Sequence, residues 1–176
     1  MTNPDNDEIL AAGKFLQLRR RGTWEIADRI NSRMGVVVIA VTRERELLLV
    51  EQFRIPVDRN VIEFPAGIVG DDADKVGEEA GTAALRELQE ETGYANGEMH
   101  FLMCGPTSPG LTSEVVALFL ATGLEHVADG GGVDGENITL HRVPLAALET
   151  WLEAKAAAGC MIDPKVYLSL YFTRDL

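Results

Sequence analysis

At 176 residues the chain is long enough for one domain with a sizeable core, and its 46% hydrophobic and 25% charged content is that of an ordinary soluble globular protein. A formal net charge of -12 argues against non-specific binding to nucleic acid or anionic membrane, though an anionic diphosphate still binds where metal ions bridge the two. Cys104 and Cys160 form neither a disulfide framework nor a metal-ligand spacing, and there is no signal-peptide core or membrane-length apolar run, so a reduced cytoplasmic protein is expected.

In chain order, residues 1–8 are polar and read as frayed, and Lys14–Arg19 and Thr23–Arg29 read as two short strands joined by a turn at Arg19–Gly22. Val36–Thr42 and Leu47–Phe53 are strongly apolar strands, and Val61–Phe64 is a third, closed by Pro65-Ala66-Gly67. Glu78–Glu91 predicts a helix with Gly93 where it stops. His100–Cys104 and Val115–Thr122 are strand candidates around a Pro- and Gly-rich loop, and Asp129–Gly135, with four glycines, predicts a flexible loop. Ile138–Val143 predicts a last strand, Pro144–Ala158 a helix, and Asp163-Pro164 the opening of a final helix to about Tyr171. His100, His126 and His141 are scattered and read as structural. Many strands with one central and two late helices suggest a mixed sheet between helices, preceded by a small β extension.

Within the central helix, Glu87, Glu90 and Glu91 share one sector, because residues three and four apart are neighbours on a helix. Like charges at that spacing destabilise an isolated helix, and clustered hard oxygens bind magnesium, usually with phosphate completing the shell. A solvated acidic face is the alternative.

The order of residues weighs against that alternative. Glu78, Arg86-Glu87-Leu88, Glu90-Glu91 and Gly93-Tyr94 closely resemble the Nudix box, G-x5-E-x7-R-E-U-x-E-E-x-G-U. One departure stands upstream: ten residues separate Gly67 from Glu78 where the pattern has five, which reads as a lengthened surface loop. The resemblance implies an α+β fold, an αβα sandwich around a mixed sheet, with the box as loop, helix and loop. Residues 1–35 would be the N-terminal β extension and 36–176 the Nudix domain. Trp24-Glu25, Glu51-Gln52-Phe53-Arg54, Glu63-Phe64-Pro65-Ala66-Gly67 and Ser108-Pro109-Gly110 with Ser113-Glu114 are similar to the ADP-ribose and nucleoside-diphosphate-sugar pyrophosphatase branch, in which Pro109, sixteen residues after Gly93, marks ADP-ribose pyrophosphatases.

Diphosphate hydrolysis brings water to a phosphorus shielded by negative oxygens, and metal ions neutralise that charge and acidify the water. By resemblance, Glu87 and Glu91 are the principal ligands of Mg2+ (or Mn2+), Glu90 supports them, and the Ala66 carbonyl is a further ligand. Arg86 orients a glutamate by a salt bridge, and Glu78 is structural. Arg54 suits the diphosphate, since a guanidinium fork matches phosphate oxygens, with a strand-end solubilising charge as the alternative. Trp24 is read either as stacking on the nucleobase or as a core tryptophan, and Glu63 either as a group near the metal or substrate or as a β-edge glutamate. Glu136, after the glycine-rich loop, is the first choice for the base, with Glu114 and Asp134 as alternatives. Glu91 is expected to face solvent. The resemblance implies hydrolysis of ADP-ribose or a related nucleotide sugar by a homodimer joined through the extension. Another Nudix substrate, such as a nucleoside triphosphate, is the alternative, and a non-catalytic nucleotide-sensing module is disfavoured by the intact carboxylates.

Overall fold

Residues 36–41 read as an unbroken apolar run because both faces of the strand that contains them are covered, as in the interior of a layered α/β structure. A computed structural model describes residues 7–32, 34–70, 77–132 and 137–176. Strand β4 (Met34–Thr42) is central, flanked by β5 (Glu46–Arg54) and by β10 (Val115–His126), the latter parallel to it. Beyond β5 come β6 (Arg59–Glu63) and, parallel to β6, the short β12 (Met161–Ile162). The short β7 (Ala66–Ile68) pairs with β4, β8 (Tyr94–Ala95) and β9 (Glu98–Pro106) pair with β10, and β11 (Thr139–Pro144) pairs with β5. The sheet is therefore mixed.

Alternation along β4 assigns the two layers, since successive strand side chains point to opposite faces. Val36, Val38 and Ala40 pack with Ala83, Ala84 and Leu88 of helix α1 (Ala80–Thr92). Val37, Ile39 and Val41 pack with Leu148 and Leu152 of α2 (Leu148–Ala157) and with Val166 of a short 3-10 turn, Pro164–Tyr167. That turn leads into α3 (Leu168–Phe172). The expected αβα sandwich is thus the observed one. Alanines at 83 and 84 let α1 lie close to the sheet, and Gly93 ends it in the left-handed region at φ 73°, its N–H donating to the Gln89 carbonyl. A Cβ at Gly93 would come within 2.0 Å of the Ala128 carbonyl oxygen, so this stop tolerates only glycine.

The N-terminal extension differs from expectation in two respects. Glu8–Ala12 forms a strand, β1, so the extension is a separate three-stranded antiparallel sheet with β2 (Leu16–Arg21) in the middle and β3 (Trp24–Arg29) on its far side. Arg19–Arg21 belong to β2, and the chain turns at Gly22-Thr23 instead. The late helix also starts differently, with a 3-10 turn at Leu145–Ala147 before α2. Among the described residues, no helix is long and apolar enough to cross a membrane.

Candidate active site

The box carboxylates are organised by one guanidinium. Arg86 donates through Nε and Nη2 to the two oxygens of Glu78 at 3.1 and 3.2 Å, and through Nη1 to Glu87 at 2.8 Å and Glu90 at 3.0 Å. The Glu78 hydrogen bonds, with the nearby Glu87 charge, hold Arg86 protonated well above its usual range. Arg86 therefore bridges α1 to Glu78, two residues before it, and the i,i+4 spacing explains the Glu90 contact.

The Pro65–Gly67 turn locks against the same helix. Ala66 N–H donates to Glu91 Oε2 at 3.0 Å. A Cβ on Gly67 would fall 1.9 Å from Glu87 Cδ, so glycine makes room for that carboxylate. Glu91 is only 4% exposed, which corrects the expectation of a solvent-facing side chain: its position on α1 turns it under the 65–67 turn. Three of the expected metal residues are thus side chains of one helix, and the fourth, Ala66, is tied to one of them.

These groups line a cleft of about 700 Å³. Arg54, at the end of β5, donates through Nε to Glu63 Oε2 at 2.7 Å, and both face the cleft. On the other side Glu114 accepts from Arg29 Nε at 2.7 Å and from Thr107 Oγ1 at 3.2 Å. Arg29 was missed in the sequence, although, like Arg54, it is an arginine closing a strand. Lys165 also lines the cleft, paired with Asp163 at 2.6 Å, and its only signal was its place just after the Asp163-Pro164 helix start.

Trp24 and Pro109 are brought together, but elsewhere. They line a second recess, of about 720 Å³, between the N-terminal sheet and the 109–113 segment. Trp24 is 61% exposed, which removes the core-tryptophan alternative. The segment itself joins the two places, since Pro109 to Ser113 line the recess and Glu114 lines the cleft.

Glu136 and Asp134 lie outside the described residues, as do positions 71–76 of the lengthened loop. The part of the glycine-rich loop that is described is less free than its composition suggests. Gly131 and Gly132 N–H groups donate to the carbonyls of Glu91 and Glu90 at 2.9 and 3.1 Å, satisfying acceptors at the end of α1.

Glu51, just before the cleft-lining Gln52 and Arg54 of β5, does not itself line the cleft. Its Oε2 accepts from Lys155 Nζ at 2.7 Å and lies 2.8 Å from His141 Nε2, while Oε1 accepts from Asn60 Nδ2 at 2.8 Å. The Lys155 hydrogen bond outweighs burial and, with His141 and Asn60, holds Glu51 at about 2 instead of 4.5. A depressed carboxylate stabilises the fold above its unfolded value and loses that stabilisation as pH falls through its folded value, here on the order of 3 kcal/mol between about pH 4.5 and 2. Urea unfolding of wild type and Glu51→Gln across that window is expected to show a steeper acid loss for wild type. Superimposable acid limbs would contradict it.

Residues 31–163 match the family described as NUDIX domain. The ADP-sugar pyrophosphatase of Mus musculus is 32% identical over 194 residues, covering 92% of this chain and 83% of that protein. The ADP-ribose pyrophosphatase of Bacillus subtilis (strain 168) is 44% identical over 87 residues, 49% of this chain and 44% of that protein. The methanol dehydrogenase activator of Bacillus methanolicus is 40% identical over 100 residues, 57% of this chain and 51% of that protein. In these last two the match spans about half the relative's length. A crystal structure described as an ADP compounds hydrolase shares the fold at a TM-score of 0.67 and 20% identity, over 84% of this chain and 80% of that one.

Proposed function

The chain belongs to the NUDIX domain family, and from that premise we propose that it hydrolyses the diphosphate of ADP-ribose or a related nucleoside diphosphate sugar to a nucleoside monophosphate and a sugar phosphate. The observation that carries this reading is the convergence of Glu87, Glu90 and Glu91 with Arg54 on one cleft. Relatives named ADP-ribose, ADP-sugar and GDP-mannose pyrophosphatases support the substrate class.

The chemistry of the donor set, three carboxylates, suits a hard divalent cation, but among the described residues no three acidic groups are arranged to hold one as they stand, Glu87 and Glu90 being turned to Arg86 and Glu91 to the Ala66 N–H. Glu87, Glu90 and Glu91 with the Ala66 carbonyl would hold Mg2+ or Mn2+, which supplies charge neutralisation at the diphosphate and a more acidic water. Arg86 orients Glu87 and Glu90 through its Nη1 contacts at 2.8 and 3.0 Å. Arg54 meets the diphosphate, and Glu63, 2.7 Å away, holds its guanidinium at the strand end. Trp24 stacks on the nucleobase in the recess beside Pro109, Glu114 steadies substrate or metal at the opposite wall, and Glu136 is the base. Two separated free thiols, Cys104 and Cys160, suit a reduced cytoplasmic setting.

The test is product identification after incubation with magnesium and a panel of ADP-ribose, other nucleotide sugars, coenzyme A and nucleoside triphosphates. Nucleoside monophosphate from the nucleotide sugars, abolished by EDTA, is expected. Cleavage confined to triphosphates would overturn the substrate class, and no cleavage at all would leave the sensing-module alternative in its place.

The extension of residues 1–35 is proposed to join two copies. Its sheet exposes Ile9 and Trp24 on one face and Leu16 on the other, and exposed apolar side chains on a sheet this small favour a partner surface. Light scattering at micromolar concentration should give about twice the chain mass of 19.2 kDa. A mass near the single-chain value would rule the dimer out.

A further inference from the structure

A buried ion pair that the proposed reaction does not use lies beneath the recess. Asp28 of β3 and Arg19 of β2 are 1% and 4% exposed, with Arg19 Nε donating to Asp28 Oδ2 at 2.5 Å. Arg19 is held on its other side by Asp7. The second Asp28 oxygen, Oδ1, accepts from Ser113 N–H at 2.9 Å, Ser113 Oγ at 2.8 Å and Thr112 Oγ1 at 3.2 Å. Burial pushes its carboxyl up, but the Ser113 and Arg19 hydrogen bonds leave it below the usual value, so it is ionised in the folded chain.

Desolvating such a pair costs several kcal/mol, and apolar side chains would join two layers at less cost. What an ionised acceptor adds is register. Ala27 N–H donates to the Leu111 carbonyl at 2.9 Å, and Asp28 takes Thr112 and Ser113. The next residue on each segment completes the series: Arg29 meets Glu114 at 2.7 Å, facing the cleft. Thr112 Oγ1 also accepts from Glu114 N–H at 3.1 Å, so the clamp reaches the Glu114 backbone directly. A shift of this segment by one residue would carry Glu114 away from Arg29, because the Glu114 N–H is held by Thr112 Oγ1, which itself donates to Asp28.

We propose that Asp28 is a positioning residue of the substrate cleft: held by Arg19, it clamps Thr112 and Ser113 to the N-terminal sheet and so sets Glu114 against Arg29. The assignment of Glu114 to substrate or metal contact rests on the reading given above, whereas the clamp itself does not. The sheet is thereby part of the site and not an appendage to it.

The test compares wild type, Asp28→Asn, Ser113→Ala and Glu114→Ala, with each clamp variant also combined with Glu114→Ala, in the full chain. Asp28→Asn is expected to raise the KM for ADP-ribose about tenfold with kcat within about threefold, and to add less than about twofold once Glu114 is gone, because residues acting through one group are not additive. Equal fold-changes in both backgrounds, or a lowered Tm with unchanged KM, would overturn the proposal. Ser113→Ala, which removes only one hydroxyl from the clamp, carries the same comparison with a shift of about threefold should Asp28→Asn fail to fold. Hydrogen exchange read on the 107–116 peptide separates the clamp from the activity. Faster exchange in Asp28→Asn is expected even if wild type cleaves none of the substrate panel, and unchanged protection would refute the clamp.

Discussion

Glu91→Gln is expected to lower turnover in the presence of magnesium by about a thousandfold, the loss that follows when several kcal/mol of transition-state charge stabilisation is removed. The amide keeps an oxygen for the Ala66 N–H, which Glu91 Oε2 now accepts at 3.0 Å, so the 65–67 turn retains its anchor. It loses the negative charge that a hard cation requires. Because Glu91 is buried beneath that turn, its replacement also reaches the fold, and a Tm lower by several degrees is expected in metal-free buffer. Magnesium should raise the Tm of wild type by binding the native state and leave that of the variant unchanged. A folded Glu91→Gln enzyme that turns over at the wild-type rate, with a magnesium-dependent Tm, would remove Glu91 from the ligand set.

Asp134→Asn/Glu136→Gln is expected to depress kcat by two orders of magnitude or more, in the range typical of acid–base groups, with little change in substrate affinity. Glu136→Gln alone is expected to do most of this, blunted where Asp134 substitutes. What supports the assignment is the attachment of the preceding loop: Gly132 donates to the Glu90 carbonyl at 3.1 Å. Glu114, by contrast, is engaged with Arg29 and Thr107 at a fixed wall of the cleft, so Glu114→Gln should mainly raise the substrate or magnesium requirement. Steady-state kinetics over a range of magnesium concentrations distinguishes the two. A double variant with wild-type kcat beside an inactive Glu114→Gln would reverse the roles.

Among the contacts of the cleft, those legible in the sequence join residues close in the chain. Arg86 reaches Glu87 and Glu90 because they are one and four positions away on a helix, and Glu78 because it precedes the same helix. Gly67 and Ala66 were legible through their place in the motif, but the contact between Gly67 and Glu87 depends on β7 pairing with β4. Arg29 and Glu114 are 85 positions apart, and neither residue type nor spacing couples them. The short strands β1, β7, β8 and β12 were missed for a related reason: two to five residues carry too little periodicity, and their strand character comes from the partner they meet.

By itself the sequence determined the carboxylate helix, through residues three and four apart, its stop at Gly93, and the apolar strands as short continuous runs, while the αβα class was what the resemblance of the motif implied. The tertiary structure alone decided that Glu91 is buried, that Glu51 points to Lys155 and not to the cleft, and that Trp24 and Pro109 share a recess separate from the carboxylates. It also decided that Asp28 ties the N-terminal sheet to the 112–114 segment. Those outcomes depend on which strands pair and in what register, and that is set by burial of the sheet's two faces against α1 and α2, not by any stretch of residues read in order.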